Sequence, residues 1–241
     1  MKTALIVSAT SDLGGKIAEE LAKKNFSLQL TARNSMNLKK LEQELTSNFE
    51  VKVSTMEFDA MDIQSSSDLS KNLNEIPDIV FICTGLTGEN EKAIHDREEM
   101  LSIIDTNFRG LAILVQGLAQ KMESRGGTIV GISSVAGERG RKRNFIYGSA
   151  KSAFTTFLDG YRHYYAGSKL KFVTVIPGFI KTKMLTQETS GLMTLSAKKA
   201  ATIIVRKSLN GNTKFYIGGI WYWVMMVIRN IPEFIFLKLK I

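Results

Sequence analysis

The stretch Thr3-Ala-Leu-Ile-Val-Ser8-Ala-Thr-Ser-Asp12-Leu-Gly14-Gly15-Lys16-Ile-Ala-Glu-Glu-Leu-Ala22 decides how this chain folds. Thr3–Ser8 is an apolar run of strand length, which reads as a buried strand. A loop of small residues follows, and Gly14–Lys24 then has the mixed apolar and polar spacing of a helix. The same alternation recurs along the chain. Strands are predicted at Thr3–Ser8, Ser27–Thr31, Lys52–Phe58, Ile79–Cys83, Gly127–Ser133, Lys171–Ile176 and Phe215–Ile217. Helices are predicted at Gly14–Lys24, Met36–Asn48, Ile103–Glu123 and Tyr147–Tyr164. Strands that alternate with helices pair in parallel through crossover helices, so the fold class is α/β, a single doubly wound parallel β-sheet flanked by helices. Such a sheet binds ligands beyond the carboxyl ends of its strands, and the loops there are where chemistry is sought. No repeat, low-complexity linker or second domain interrupts the pattern.

At 241 residues, with 44% hydrophobic content and three prolines, the chain is sized for one folded domain with a substantial core. The single cysteine, Cys83, excludes an intramolecular disulfide framework and suits a reducing compartment. His95 and His163 stand far apart without ligand spacing, so no metal site is expected. The first apolar run is too short for a signal peptide. A formal net charge of +9 calls for an anionic partner. The basic residues are scattered and no nucleic-acid motif accompanies them, which argues against nucleic acid. An anionic cofactor with a phosphorylated substrate, and an anionic membrane surface, are the two compatible alternatives.

The loop Ser8-Ala-Thr10-Ser11-Asp12-Leu13-Gly14 opens a helix, where backbone N–H groups and the helix dipole can meet a pyrophosphate. It is a degraded dinucleotide fingerprint. Gly14 holds a glycine position, Ser8 and Asp12 stand where glycines are expected, and Asp12 also reads as a helix N-cap. The second strand ends Leu30-Thr-Ala-Arg33-Asn34 with no carboxylate at its tip. A basic residue there accommodates the 2′-phosphate of NADP, whereas a solvated arginine would merely cap the strand.

Further along, Tyr147-Gly-Ser-Ala-Lys151 puts a phenol and an ammonium four residues apart, on one helix face, with Cβ atoms roughly 5–6 Å apart. Ser134 lies thirteen residues upstream of Tyr147. A free phenol titrates near about 10, and a nearby cation lowers that value. A shift of about three units needs roughly 4 kcal/mol. One lysine is not expected to supply all of it, and an oxidised nicotinamide ring would add a second positive charge.

These residues resemble the short-chain dehydrogenase/reductase family over Thr3–Thr182, a Rossmann-type fold. The resemblance is carried by Ile129-Val-Gly-Ile-Ser-Ser134, Tyr147-Gly-Ser-Ala-Lys151, Asp105-Thr-Asn107, and Pro177-Gly178 with Thr182. It implies that Tyr147 is the general acid–base and that Ser134 holds the substrate carbonyl. Lys151 would lower the pKa of Tyr147 and hold the nicotinamide ribose, and Asn107 would position a proton-relaying water. Asp59 matches the contact to adenine, and Pro177, Gly178 and Thr182 match the segment beside the nicotinamide carboxamide. Two departures concern the cofactor: the altered glycine loop, and Ile82-Cys83-Thr84-Gly85 where the family has Asn-Asn-Ala-Gly. Homo-oligomers are usual in the family.

After Gly218-Gly219 the chain reads Ile220-Trp-Tyr-Trp-Val-Met-Met-Val-Ile228, then Arg229-Asn-Ile-Pro232-Glu233 and Phe234-Ile-Phe-Leu237-Lys-Leu-Lys-Ile241. A membrane span needs about 20 mainly apolar residues, and Arg229, Pro232 and Glu233 break this run. Residues 1–219 therefore read as the dinucleotide-binding domain, and 220–241 as an apolar helical extension. The extension is either a membrane-interface element, marked by Trp221, Trp223, Lys238 and Lys240, or a packing surface for the core or another subunit. Arg139, Arg141, Lys142 and Arg143 form a basic loop at the expected substrate mouth, suited to a phosphate or simply solvated.

The altered loop, tail and basic rim are similar to the branch of decaprenylphosphoryl 2-keto-pentose reductases. That resemblance implies an NADPH-dependent reductase of a lipid-linked keto-sugar in cell-envelope polysaccharide synthesis. Such an enzyme would be cytoplasmic, at the inner face of the membrane. A soluble ketone, acyl or nucleotide-sugar substrate, and a non-catalytic cofactor-binding subunit, are the other readings.

Overall fold

Successive strand residues point to opposite faces of a sheet, and in β1 (Thr3–Val7) both faces are apolar. Ala4 and Ile6 join one buried cluster, Leu5 and Val7 another. The computed structural model, which describes residues 1–73, 75–183 and 194–239, builds its sheet around this strand. β2 (Ser27–Ala32), β3 (Val53–Glu57), β4 (Ile79–Ile82), β5 (Gly127–Ile132), β6 (Leu170–Pro177) and β9 (Lys214–Ile217) complete seven parallel strands in the order β3-β2-β1-β4-β5-β6-β9. The chain first grows outward from β1 through β2 to β3. It then returns to lay β4 against the other side of β1, with Val7 opposite Ile82. That reversal opens a crevice beyond the ends of β1 and β4, where such sheets bind ligands.

Helices cover both faces. α1 (Asp12–Ala22), α2 (Lys39–Phe49) and α8 (Ala197–Leu209) lie on the first cluster, where Ile17 and Leu21 share a core with Ala200, Ile204 and Val205. α3 (Ile63–Lys71), α6 (Gly110–Met122) and α7 (Phe145–Tyr164) lie on the second, through Leu69, Leu114, Leu118, Phe154 and Leu158. Two short helices, α4 (Asn90–Ala93) and α5 (Arg97–Ile104), precede α6, and a two-residue pairing joins β7 (Ile180–Lys181) to β8 (Leu195–Ser196).

Two helix predictions need correction. The stretch expected as one helix over Ile103–Glu123 is α5 and α6 joined through a π-helical turn, Asp105–Arg109. Such turns arise where a side chain must be re-aimed, and Asn107 lies inside this one. The N-cap of α1 is Ser11, not Asp12: the Ser11 hydroxyl accepts from Gly14 N at 3.0 Å. A hydroxyl one residue earlier reaches the same N–H without placing a charge at the turn.

Beyond β9, α9 (Ile220–Asn230) lays Trp221 and Met225 against Val135 and Ile176 in a third buried cluster, and α10 (Glu233–Phe236) follows. Among the described residues no helix is long and apolar enough to cross a membrane.

Candidate active site

A cavity of about 630 Å³ sits over the crevice between β1 and β4. Its lining brings together Thr10, Ser11, Asp12, Leu13, Gly85, Ser134, Tyr147, Lys151, Pro177, Gly178 and Thr182. Ser8, Gly14 and Asn107 are not in the lining but support it. Arg33 and Asp59 lie further off, at the ends of β2 and β3. Arg33 is exposed there. The Asp59 carboxylate accepts from Met61 N at 3.0 Å.

Local packing places the reactive groups. Ser134 opens the short 3-10 turn Val135–Glu138, its Oγ accepting from Ala136 N at 3.1 Å. That turn lies directly on α7: a Cβ on Gly148 would stand 2.6 Å from Ala136 O, so the residue after Tyr147 has to be glycine. Asn90 clamps the loop between them, donating to Lys142 O at 3.1 Å and accepting from Ile146 N at 3.2 Å. Sequence reasoning missed Asn90, because its role depends on partners more than fifty residues away.

Lys151 is 2% exposed, and its Nζ donates to Ile132 O at 3.1 Å and Thr84 O at 3.2 Å. Burial pushes this amine down to about 8. Nζ is 5.8 Å from the centroid of the Tyr147 ring. Burial pushes Tyr147 up to about 12, and the Ser134 hydroxyl is what pulls against it. The expected lowering by Lys151 and a nicotinamide cation concerns the cofactor-loaded site. Cys83 lines the same floor, and burial raises its thiol to about 12, which makes it a poor nucleophile.

Asn107 is fully buried. Its amide donates to Leu86 O at 2.7 Å and Ile103 O at 2.8 Å, and its Oδ1 accepts from Leu86 N at 3.2 Å. The side chain therefore braces the segment after β4 that forms one wall of the cavity.

The two departures from the family pattern meet each other. Ser8 has φ of 63°, the left-handed conformation that explains why glycine is expected there. Its Oγ bonds Thr84 Oγ1 at 2.7 Å, and Thr31 Oγ1 accepts from its N–H at 3.1 Å. A non-glycine residue in this region costs about 1–2 kcal/mol, of which one such bond returns about 1 kcal/mol. Ser8→Ala and Thr84→Val should each destabilise the protein, and a double-mutant cycle by urea unfolding should give a coupling of about 1 kcal/mol. Additive losses would mean the pair is incidental.

The loop also fits a dinucleotide. A Cβ at position 14 would lie 2.6 Å from Ser8 O, so the backbone approach there needs glycine. Asp12, whose charge is unwelcome to a phosphate, accepts from Lys183 N at 2.7 Å and so ties the 180–183 segment to α1.

The basic loop does not act as one rim. Arg139 turns away from the cavity and holds the C-terminal segment. It donates to Ile228 O at 2.7 Å and Ile231 O at 2.6 Å, pairs with Glu233 at 3.1 Å, and stacks 3.7 Å over Phe236. Glu138 adds a hydrogen bond from Tyr216 and a contact with Arg229 at 3.8 Å. Arg141 alone of the four basic residues lines the cavity.

A switched parallel sheet with a hydroxyl, a phenol and an ammonium converging beyond its strand ends defines an α/β dinucleotide-binding class of fold. The family model for short chain dehydrogenase matches residues 2–193, and the chain belongs to that family. An uncharacterized oxidoreductase of Mycobacterium tuberculosis is 28% identical over 239 residues, covering 98% of this chain and 96% of the relative. An NADP-dependent 3-hydroxy acid dehydrogenase of Schizosaccharomyces pombe is 28% identical over 188 residues, 76% of this chain and 73% of its own. A short-chain dehydrogenase from Sphingobium yanoikuyae, solved in complex with NADPH, superposes with a TM-score of 0.83 over 97% of each chain at 19% identity.

Proposed function

We propose that the protein is an NADPH-dependent reductase that turns a keto group into an alcohol on a sugar carried by a polyprenyl phosphate. The observation that carries the reaction class is the convergence of Ser134, Tyr147 and Lys151 on one cavity floored by β1 and β4. The cofactor, when bound, supplies hydride to the carbonyl carbon. The chain does the rest. Ser134 donates a hydrogen bond to the carbonyl oxygen, and Tyr147, a phenol at neutral pH, gives that oxygen a proton as charge develops. Lys151, fixed on two carbonyls, would hold the nicotinamide ribose, and Asn107 keeps the wall beside it in place. Thr10, Ser11 and Leu13 would take the pyrophosphate, Arg33 the 2′-phosphate and Asp59 the adenine, with Pro177, Gly178 and Thr182 beside the carboxamide. NADP is also what the fission-yeast relative's name and the complex of the Sphingobium enzyme point to.

The lipid-linked substrate is supported by the C-terminal segment, which has two apolar faces. Trp221 and Met225 pack inward, with Trp221 at 4.9 Å from the ring of Phe179, a cavity residue. Ile220, Trp223 and Val227 form the opposite face and are 53%, 59% and 59% exposed, and Phe234 in α10 and Leu237 just past it extend the apolar surface. A helix with such a face beside basic residues suits a membrane interface, and it adjoins the wall of the substrate cavity. The mycobacterial relative's alignment includes this segment, which lies past the end of the family match.

The test uses NADPH tritiated on its transferable hydrogen, the protein and a total extract of the source organism, partitioned between organic solvent and water. Label in the organic phase, lost with Tyr147→Phe, is the expected outcome. Label confined to water would replace the lipid reading with a soluble ketone or keto acid, the class suggested by the 3-hydroxy acid relative. In a companion measurement, the protein should co-sediment with anionic vesicles, and Trp223→Ser with Val227→Ser should weaken this at least about tenfold. A concentration-dependent dimer that these changes dissociate, with no vesicle binding, would assign the face to a second copy instead.

A further inference from the structure

We propose that Arg141, with Asn144, is an anion subsite that grips a phosphate or carboxylate carried by the substrate. This rests on the reductase reading of the cavity. Arg141 lines that cavity together with Ser134 and Tyr147, yet its guanidinium has no hydrogen bond or ion pair among the described residues, and its Nε is buried without a partner. Exposed arginines such as Arg33, Arg97 and Arg206 are free to meet solvent, and several others are paired. Arg109, Arg125 and Arg162 meet carboxylates at 2.5, 2.9 and 2.5 Å, and Arg139 is held by the carbonyls of the tail. Leaving a planar, permanently charged fork half-buried and unpaired is costly unless something binds it. Burial lowers its affinity for the proton, the mark of a charge without compensation.

Asn144 offers its side-chain amide to the same cavity. It stands at the N-cap of α7 without capping the helix, and it lines the cavity. Both groups lie at the positive end of that twenty-residue helix, which favours an anion. Among the described residues the only carboxylate in the lining is Asp12, which follows β1 and accepts from Lys183 N.

Position separates this subsite from the cofactor's phosphates. The phosphate-binding loop follows β1, whereas Arg141 follows β5, and β4 lies between them. Strand spacing of about 4.8 Å puts the ends of β1 and β5 roughly 10 Å apart. Arg141 instead lies between Ser134 and Tyr147 and lines the same cavity, so the anion it binds belongs to the molecule whose keto group those residues hold. A bidentate guanidinium suits both phosphate and carboxylate.

The experiment titrates glycerol 1-phosphate, glycerate and glycerol into the protein saturated with NADP⁺, followed by calorimetry. The saturated cofactor keeps the probes out of its own phosphate sites, and its affinity is measured first. If NADP⁺ does not bind, the reductase reading fails, independently of Arg141. With NADP⁺ bound, at least one anion should bind about tenfold or more tightly than glycerol, a difference of about 1.4 kcal/mol. Arg141→Gln should remove that preference with NADP⁺ affinity unchanged, and Arg141→Lys should restore part of it. Preference for the phosphate points to a phosphorylated or phospholipid-linked substrate, and preference for glycerate to a hydroxy acid. Anions binding no better than glycerol, or binding Arg141→Gln as tightly as the wild type, would overturn the subsite. Two signatures guard against a merely structural role. Arg141→Gln should melt at a higher temperature than the wild type. In the wild type, phenylglyoxal labelling of Arg141, read by mass spectrometry, should be blocked by the bound anion and not by glycerol.

Discussion

Tyr147→Phe should lower the NADPH-dependent reduction rate by on the order of 10³-fold while leaving the fold and cofactor affinity intact. The substitution removes one oxygen from a cavity whose phenol is held up at about 12 by burial, so no ionised group is lost at neutral pH. What disappears is the proton that the nascent alkoxide must receive. Stopped-flow or steady-state absorbance of NADPH, with calorimetry of cofactor binding, separates the two effects. A loss in cofactor affinity equal to the loss in rate would make Tyr147 a binding residue. The same high value sets the direction of the pH dependence. Reduction uses the phenol and should be insensitive to Tyr147 ionisation up to high pH, whereas alcohol oxidation needs the phenolate and should climb with pH. Oxidation that is already maximal at pH 7 would mean that the phenol is depressed, not raised, in the working enzyme.

Lys151→Met should cost activity and add stability. Activity should fall by on the order of 10²–10³-fold, because a fixed charge beside the reacting groups is lost. Stability moves the other way. The unfolded chain holds this proton up to 10.5 and the folded protein only to about 8. Between those values the unfolded state binds more protons, so stability rises with pH, and below about 8 the whole penalty is present. At about 1.36 kcal/mol per pH unit the penalty near neutrality is about 3 kcal/mol. Two hydrogen bonds to carbonyls are lost with the amine, so the net gain for Lys151→Met in urea unfolding at pH 7 should be about 1–2 kcal/mol. The gain should vanish by pH 10.5. For the wild type, kcat/KM for the cofactor should fall as pH rises through about 8, a limb missing from the variant. A variant less stable at pH 7 than at pH 10.5, relative to the wild type, would reverse the assigned sign.

Much of this molecule was legible locally. A buried parallel strand must be apolar on both faces, so the strand predictions fell close to the observed ladders, Ile79–Cys83 against Ile79–Ile82 for example. The glycine position read at Gly14 is one where a Cβ would meet Ser8 O and Ser11 Oγ, a steric demand that comes from only a few residues away. The phenol and amine of Tyr147-Gly-Ser-Ala-Lys151 share a helix by arithmetic alone. The π-helical turn at Asn107, the Asn90 clamp and the mutual bond of Ser8 and Thr84 were not legible. Each joins or accommodates groups whose partners are distant in sequence.

The basic loop and the tail divide most sharply between the two sources. Composition determined that four cations lie between Ser134 and Tyr147, and that residues 220–228 are apolar on every side. It could not rank the cations or choose a face, because helical periodicity has nothing to select in a uniformly apolar run. Tertiary packing made both choices. Docking Trp221 and Met225 onto Val135 and Ile176 consumed one face of the helix, and the carbonyls at its end then claimed Arg139. Arg141 was left facing the cavity. Sequence alone thus determined the parallel sheet, the loop over its ends and the pair of reactive side chains, since these follow from spacing along one chain. Burial and partner choice decided which charges are free and what protonation states they hold, since those depend on solvent exclusion by residues far apart in the chain.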